Sequence, residues 1–148
     1  MGKADTLTFK QRGFTIVELL IVIVVIGILA AITIVAFNGV QKQARDTERI
    51  SEVKAMQKAI EMYRVEKGEY PLHTGGVENA GYGMALIESL LVPDYIAALP
   101  REPNSTQPYQ YVRDKAKDSY AIRVMYESKP QCHSGTNNTP NWWATPAC

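Results

Sequence analysis

The sequence predicts an α+β chain: one long N-terminal helix, apolar and projecting in its first half, whose second half packs on a small antiparallel sheet, with a C-terminal disulfide loop. Three observations carry that expectation. From Leu19 to Phe37 no residue is charged, and Thr33 is the only polar side chain. Behind this run the helical spacing continues through Val40, Ala44, Val53, Met56, Ile60 and Tyr63, with Ile50 between, and no proline interrupts residues 14–70. Further on, Ser119 to Glu127 alternates, with Tyr120, Ile122, Val124 and Tyr126 on one face.

The apolar run has the length to cross a hydrocarbon core of about 30 Å at about 1.5 Å per residue. Before it, Met1 to Gly13 is short and polar, with Lys3, Lys10 and Arg12 against Asp5. Positive charge there keeps that end in the cytoplasm. A secretory signal peptide is the ordinary reading of such a start, but its apolar core is shorter and carries no carboxylate. Here Glu18 stands at the head of the run, and the helical pattern does not stop after it. A plain single-span anchor explains the length and the basic flank. It does not explain Glu18 or the step from Arg12-Gly13 to Phe14.

Those residues carry a resemblance. Arg12-Gly13-Phe14-Thr15-Ile16-Val17-Glu18-Leu19-Leu20, with the apolar stretch through Gly27 and Ala30-Ala31, is similar to the processing signature of type IV prepilins and type II secretion pseudopilins. The resemblance implies a prepilin leader peptide over residues 1–13, cut by a membrane prepilin peptidase between Gly13 and Phe14. It implies methylation of the new amine on Phe14, and Glu18 as the residue that directs assembly. Physics supports the last role independently. An ionised carboxylate among lipid tails costs about 2.5–3.5 kcal/mol at mid-membrane, so it persists where it finds a partner. The amine freed at Phe14 is one, in the same subunit at four-residue spacing or in the next.

Residues 14–38 are then a transmembrane and filament-core helix, and residues 39–67 its amphipathic half. A 55-residue helix would extend about 80 Å, and a head can cover only part of it. Arg45, Asp46, Glu48, Arg49, Glu52 and Lys54 read as a solvated mixed-charge face, with Arg45–Glu48 and Lys58–Glu61 as local pairs and inter-subunit pairing as the sharper alternative. Gly68 and Tyr70-Pro71 end the helix. Many filament-forming pilins carry a proline in the apolar half, where the helix melts on assembly. None stands here, and Gly27 and Gly39 are the candidates to substitute.

Residues 68–148 read as a globular head. Gly75-Gly76, Gly81 and Gly83 mark a surface loop. Met84 to Leu91 reads as a short helix packing through Ala85, Leu86, Leu90 and Leu91. Tyr109–Arg113 and Ser119–Glu127 form a hairpin across Asp114–Asp118, too small to stand alone, with the long helix as its support. The order resembles the pilin fold. Glu69-Tyr70-Pro71, Leu99-Pro100 and Tyr109-Gln110-Tyr111 look most like the major pseudopilin of type II secretion and its small-pilin relatives. In that subgroup a loop near the sheet binds calcium. Asp94, Glu102 and Asn104 are oxygen ligands in that neighbourhood, three of the six to eight that calcium wants. Pro103-Asn104-Ser105-Thr106 departs from the family's turn, and no cofactor or metal is assigned.

Two cysteines, Cys132 and Cys148, are expected to pair in an exported chain. They staple a tail that carries Trp142-Trp143, either a surface patch for adhesion or indoles packed under the loop. Asn104-Ser-Thr and Asn137-Asn-Thr fit the glycosylation pattern, which is common by chance. His73 and His133 read as lone, solvated histidines. No catalytic constellation or phosphate loop appears, which argues against an enzyme. From Gly39 to Cys148 the 13 basic and 13 acidic residues cancel, against a nucleic-acid grip by bulk charge.

The function expected is a structural subunit of a type IV pilus, a homopolymeric surface filament for adhesion, twitching motility or DNA uptake. Its partners would be membrane lipid before assembly, the prepilin peptidase, and an assembly platform with ATPases. It would pass from the inner membrane to an extracellular fibre. The disulfide loop and Trp142-Trp143 favour that reading. The proline-free helix and the sheet sequence favour the alternative, a type II secretion pseudopilin. A membrane-anchored binding domain that never polymerises is a third reading.

Overall fold

The computed structural model describes residues 13–72, 75–103, 108–116, 118–136 and 145–148. The chain divides into two compact units, one ending at Asn38 and one running from Gly39 to Cys148. Helix α1 (Ile16–Lys67) is continuous through that division. In the first unit every described side chain of α1 is exposed. The Thr33 hydroxyl donates to the Leu29 carbonyl at 2.7 Å, so the one polar group of the apolar run is satisfied within the helix.

In the second unit α1 buries Val53, Met56, Ala59 and Ile60. Val53, Met56 and Ile60 join Tyr111, Tyr120, Ile122 and Val124 of the sheet and Ile87 and Leu91 of the preceding segment in one core. Val40 and Ala44 continue the same spacing yet stay exposed. The buried apolar seam starts at Val53, more than three turns beyond Val40 where the periodicity predicts it, because the turns before it meet the head through charge. Gly68 closes the helix at φ 79°, and its N–H donates to the Arg64 carbonyl at 2.8 Å. That left-handed conformation costs a glycine nothing.

The sheet has four antiparallel strands in sequence order: β1 (Tyr82–Gly83), β2 (Gln110–Asp114), β3 (Ser119–Val124) and β4 (Cys132–Gly135). The expected hairpin is β2–β3, with Tyr111 opposite Ile122 and Arg113 opposite Tyr120. Tyr120, Ile122 and Val124 are buried as the alternation predicts, but so is Ala121. It is a small residue flanked in the ladder by Val112 and Gly135. Two strands lie where the sequence reads as loop. β1 is two residues long at Gly83, and β4 lies in the tail, inside a run of turn formers. Gly135 has φ 155°, and a Cβ there would lie 2.3 Å from the Tyr120 carbonyl oxygen, so β3 and β4 meet at a position only glycine fits.

The short helix divides into a 3-10 turn (Met84–Ile87) and one turn of α2 (Glu88–Leu91). Residues three apart share a side in a 3-10 turn. Met84 and Ile87 therefore point inward, and Leu86, expected in the core, is 53% exposed. Ala85 is exposed as well. The disulfide Cys132–Cys148 is formed across a separation of 16 residues, a closure that stabilises by about 3 kcal/mol in the entropic account. His133, read as solvated, is 1% exposed in β4.

The mixed-charge face of α1 is not solvated. Arg49 is 1% exposed and Asp46 4%. Each guanidinium nitrogen of Arg49 takes a different carboxylate: Nε to Glu102 at 2.5 Å, Nη1 to Asp46 at 2.6 Å, Nη2 to Glu127 at 2.8 Å. Arg45 does not pair with Glu48 but grips Glu127 through Nε at 2.8 Å and Nη2 at 2.6 Å. Asp46 in turn accepts the Glu127 N–H at 2.9 Å, the Ser128 N–H at 2.8 Å and the Ser128 hydroxyl at 2.5 Å. One arginine thus joins α1 to the segment before β2 and to the link after β3. Burial pushes the Asp46 carboxyl up, but its bonds from Ser128, the Glu127 N–H and Arg49 outweigh that and hold it at about 2. Arg45 and Arg49 bring Glu127 down to about 2. Burial alone would lower the Arg49 pKa, and its three carboxylates raise it instead.

Removing one member of such a buried set strands the others. Arg49→Met should therefore destabilise the head by roughly 3–5 kcal/mol, read as a lower urea midpoint by tyrosine fluorescence of the detergent-solubilised chain. Arg49→Lys should recover only part of it, because an ammonium cannot span three carboxylates in a plane.

Candidate assembly site

The described chain opens on Gly13 and Phe14, which belong to no helix or strand and are exposed, Phe14 at 88%. The helix starts two residues later. The bond between Gly13 and Phe14 therefore lies outside any helical hydrogen bonding. Met1 to Arg12, the rest of the expected leader, lies outside the described residues.

Thr15 is the N-cap of α1. Its side chain accepts the Glu18 N–H at 3.2 Å. Glu18 answers with one carboxylate oxygen, Oε2, which accepts the Thr15 N–H at 2.8 Å and the Thr15 hydroxyl at 2.7 Å. This is a reciprocal capping box. It satisfies donors that a helix start leaves unpaired, and it places a carboxylate where the helix dipole favours negative charge. The expected partner of Glu18 was the amine of Phe14, one residue further out. With the peptide bond to Gly13 intact that nitrogen is an amide, and Thr15 holds the carboxylate. Thr15 is the site residue that charge and hydropathy reading passes over. Its signal is plain in the sequence, as Thr-x-x-Glu immediately before an apolar run.

Behind the cap the described side chains of Leu19 to Phe37 are exposed, among them Leu20, Ile23, Ile26, Leu29, Ile34 and Phe37. α1 is the one described helix long and apolar enough to cross a membrane. A Cβ at Gly27 or Gly39 would meet nothing within 4 Å. Among the described residues no packing requires glycine at either place, and both lie in continuous helix.

The other nominated residues do not gather into a second site. Glu102, named as a calcium ligand, spends a carboxylate oxygen on Arg49, and Asp94 is exposed. Among the described residues no group of three or more His, Cys, Asp or Glu could hold a metal. Asn104, His73, Asn137, Trp142 and Trp143 lie outside the described residues.

Residues 8–34 match the prokaryotic N-terminal methylation motif. The chain is 32% identical to the type II secretion system core protein G of Escherichia coli K12 over 105 residues, 65% of this chain and 68% of that one. Against the Pseudomonas aeruginosa PAO1 protein of the same name it is 30% identical over 116 residues, 76% of this chain and 81% of that one. The chain belongs to the type II secretion core protein G family, within the type IV pilin and pseudopilin superfamily. The likeness to the Vibrio cholerae member reaches 90% of this chain and 92% of that one, at 27% identity over 142 residues. No solved structure matches the chain.

Membership corrects the expected function. The relatives are named as secretion-system proteins, not as pilus subunits. The pilus reading leaned on the stapled tail and on Trp142-Trp143. A disulfide tail is a stability device that any exported head can use, so it does not discriminate. The proline-free helix and the residues around Tyr109-Gln110-Tyr111 pointed the right way.

If the capping box sets the start of the helix, Thr15→Val should cost about 1 kcal/mol. Amide exchange at Ile16 to Glu18 in micelles should quicken roughly fivefold, while Thr15→Ser leaves it unchanged.

Proposed function

We propose that this chain is a pseudopilin of a type II secretion system, a structural and non-catalytic subunit that polymerises through its apolar helix. The likeness to core protein G across the sheet-bearing head, and not only across the helix, carries that reading. Before assembly the apolar half of α1 anchors the subunit in the cytoplasmic membrane. Prepilin peptidase cuts between Gly13 and Phe14, and the amine of Phe14 is methylated.

The cut changes the charge at the helix start. It turns the Phe14 amide into a cation beside Glu18. A capped carboxylate with spare acceptor capacity then faces a positive partner, in its own subunit or in the next copy. The uncut precursor offers none, so it should join filaments poorly. Lateral packing of the apolar halves holds the assembled subunits together, since outside the membrane it keeps a large apolar surface from water without new chemistry. Charge supplies the register, because an unpaired Glu18 inside the bundle is costly.

Deletion of the gene in the chain's own host separates this role from that of a surface fibre. Release of secreted proteins should be lost and surface fibres kept, with secretion restored by the wild-type chain and not by Glu18→Ala. Loss of fibres with secretion intact would overturn the assignment.

A further inference from the structure

The last four residues perform a task that neither the apolar helix nor Glu18 touches. β4 is the final strand of the sheet, so its outer backbone groups form an edge open to pairing. Thr145–Cys148 cover it. The His133 N–H donates to the Pro146 carbonyl at 2.9 Å, and the Cys148 N–H donates to the His133 carbonyl at 2.8 Å. Ala147 pairs with His133 in a parallel bridge. Thr145 is buried, with its Oγ1 3.2 Å from His133 Nδ1. Among the described residues the segment meets β4 through one bridge, two backbone hydrogen bonds and the Thr145–His133 contact, a short pairing. Its covalent tie is Cys132–Cys148.

We propose that the outer edge of β4 is a strand-acceptor site for Thr145–Cys148, filled from the same chain in the oxidised subunit and from a second copy once Cys132–Cys148 is reduced and re-formed. The occupant follows from the fit already present. The edge accepts these four residues in cis, and a second copy carries the same four, so exchange meets no mismatch. Each copy offers one edge and one tail, which closes into a reciprocal dimer or continues as an open chain.

The chemistry balances with a dithiol reductant and a disulfide oxidant. A thiolate of the dithiol attacks one sulfur, the Cys132–Cys148 bond breaks, and the reductant closes to its own disulfide. Two electrons and two protons end on the Cys132 and Cys148 thiols. On re-oxidation the oxidant forms a mixed disulfide with one cysteine. The thiolate of the other, presented by the neighbouring copy, displaces the oxidant's thiol. The new bond joins Cys132 of one copy to Cys148 of the next, and the oxidant leaves as two thiols.

Equal amounts of unlabelled and nitrogen-15-labelled full-length chain in detergent micelles test this. The mixture is reduced with dithiothreitol, re-oxidised with oxidised glutathione over a range of protein concentrations, and cleaved by chymotrypsin after Trp142 and Trp143. Mass spectrometry should find mixed-isotope Cys132–Cys148 peptides that rise with concentration. They should exceed mixed-isotope Cys132–Cys132 and Cys148–Cys148 peptides at least about tenfold, the preference that two backbone hydrogen bonds supply. Same-isotope peptides alone, or homotypic peptides in equal amount, overturn the proposal. Thr145→Lys keeps both cysteines but cannot seat the segment, and should bring the heterotypic product down to the homotypic level. An undiminished heterotypic product from that variant also overturns it.

Discussion

The chain is organised around an apolar surface that it cannot bury. Among the described residues of its unit the run from Leu19 to Phe37 meets no covering partner, and its described side chains are exposed throughout. Soluble proteins do not carry bare apolar patches of that extent. Lipid and other apolar helices are the two environments that can cover it. Both environments fit the proposed role, in which the subunit is anchored in a membrane before it packs against other apolar helices. The remaining features of the helix follow from that. The one hydroxyl in the run bonds to its own backbone. The one carboxylate at its head is held in a capping box instead of being left bare.

The second unit solves a different problem, that of holding a small sheet on a helix with limited apolar area. Val53, Met56 and Ile60 supply the apolar seam. The turns before them supply a buried charge cluster, in which Arg49 answers Asp46 of its own helix and one carboxylate from each of two distant segments, Glu102 and Glu127. Geometry rather than Coulomb energy explains its use. A buried ion cluster adds little net stability over a well-packed apolar one. However, a planar guanidinium with each nitrogen committed fixes where the segment before β2 and the link after β3 must sit. Register is worth more than raw stability in a subunit whose surface must repeat along a polymer.

Much of this is legible in the residues, and most of the rest depends on partners distant in the chain. The long helix, its end at Gly68, the β2–β3 hairpin and the disulfide follow from local signals: period, turn formers and cysteine count. Arg49 was misread because its partners Glu102 and Glu127 lie more than fifty residues away, and a helix face with alternating charges looks the same whether water or carboxylates meet it. β1 and β4 were missed because they are short and sit among glycines and turn formers, where pairing with a neighbour decides the conformation. His133 follows β4 inward for the same reason. Leu86 was misplaced by assuming an α-turn where the chain makes a 3-10 turn. The capping box differs from these. It is entirely local and could be read from Thr15 and Glu18 alone.

Removal of the leader after Gly13 and the resulting amine beside Glu18 form the central claim of this account. The intact mass of the chain extracted from the membranes of its own host measures it directly. The chain should begin at Phe14 and carry one added methyl group on that amine. A chain that still begins at Met1, in cells whose filament is assembled, would contradict it.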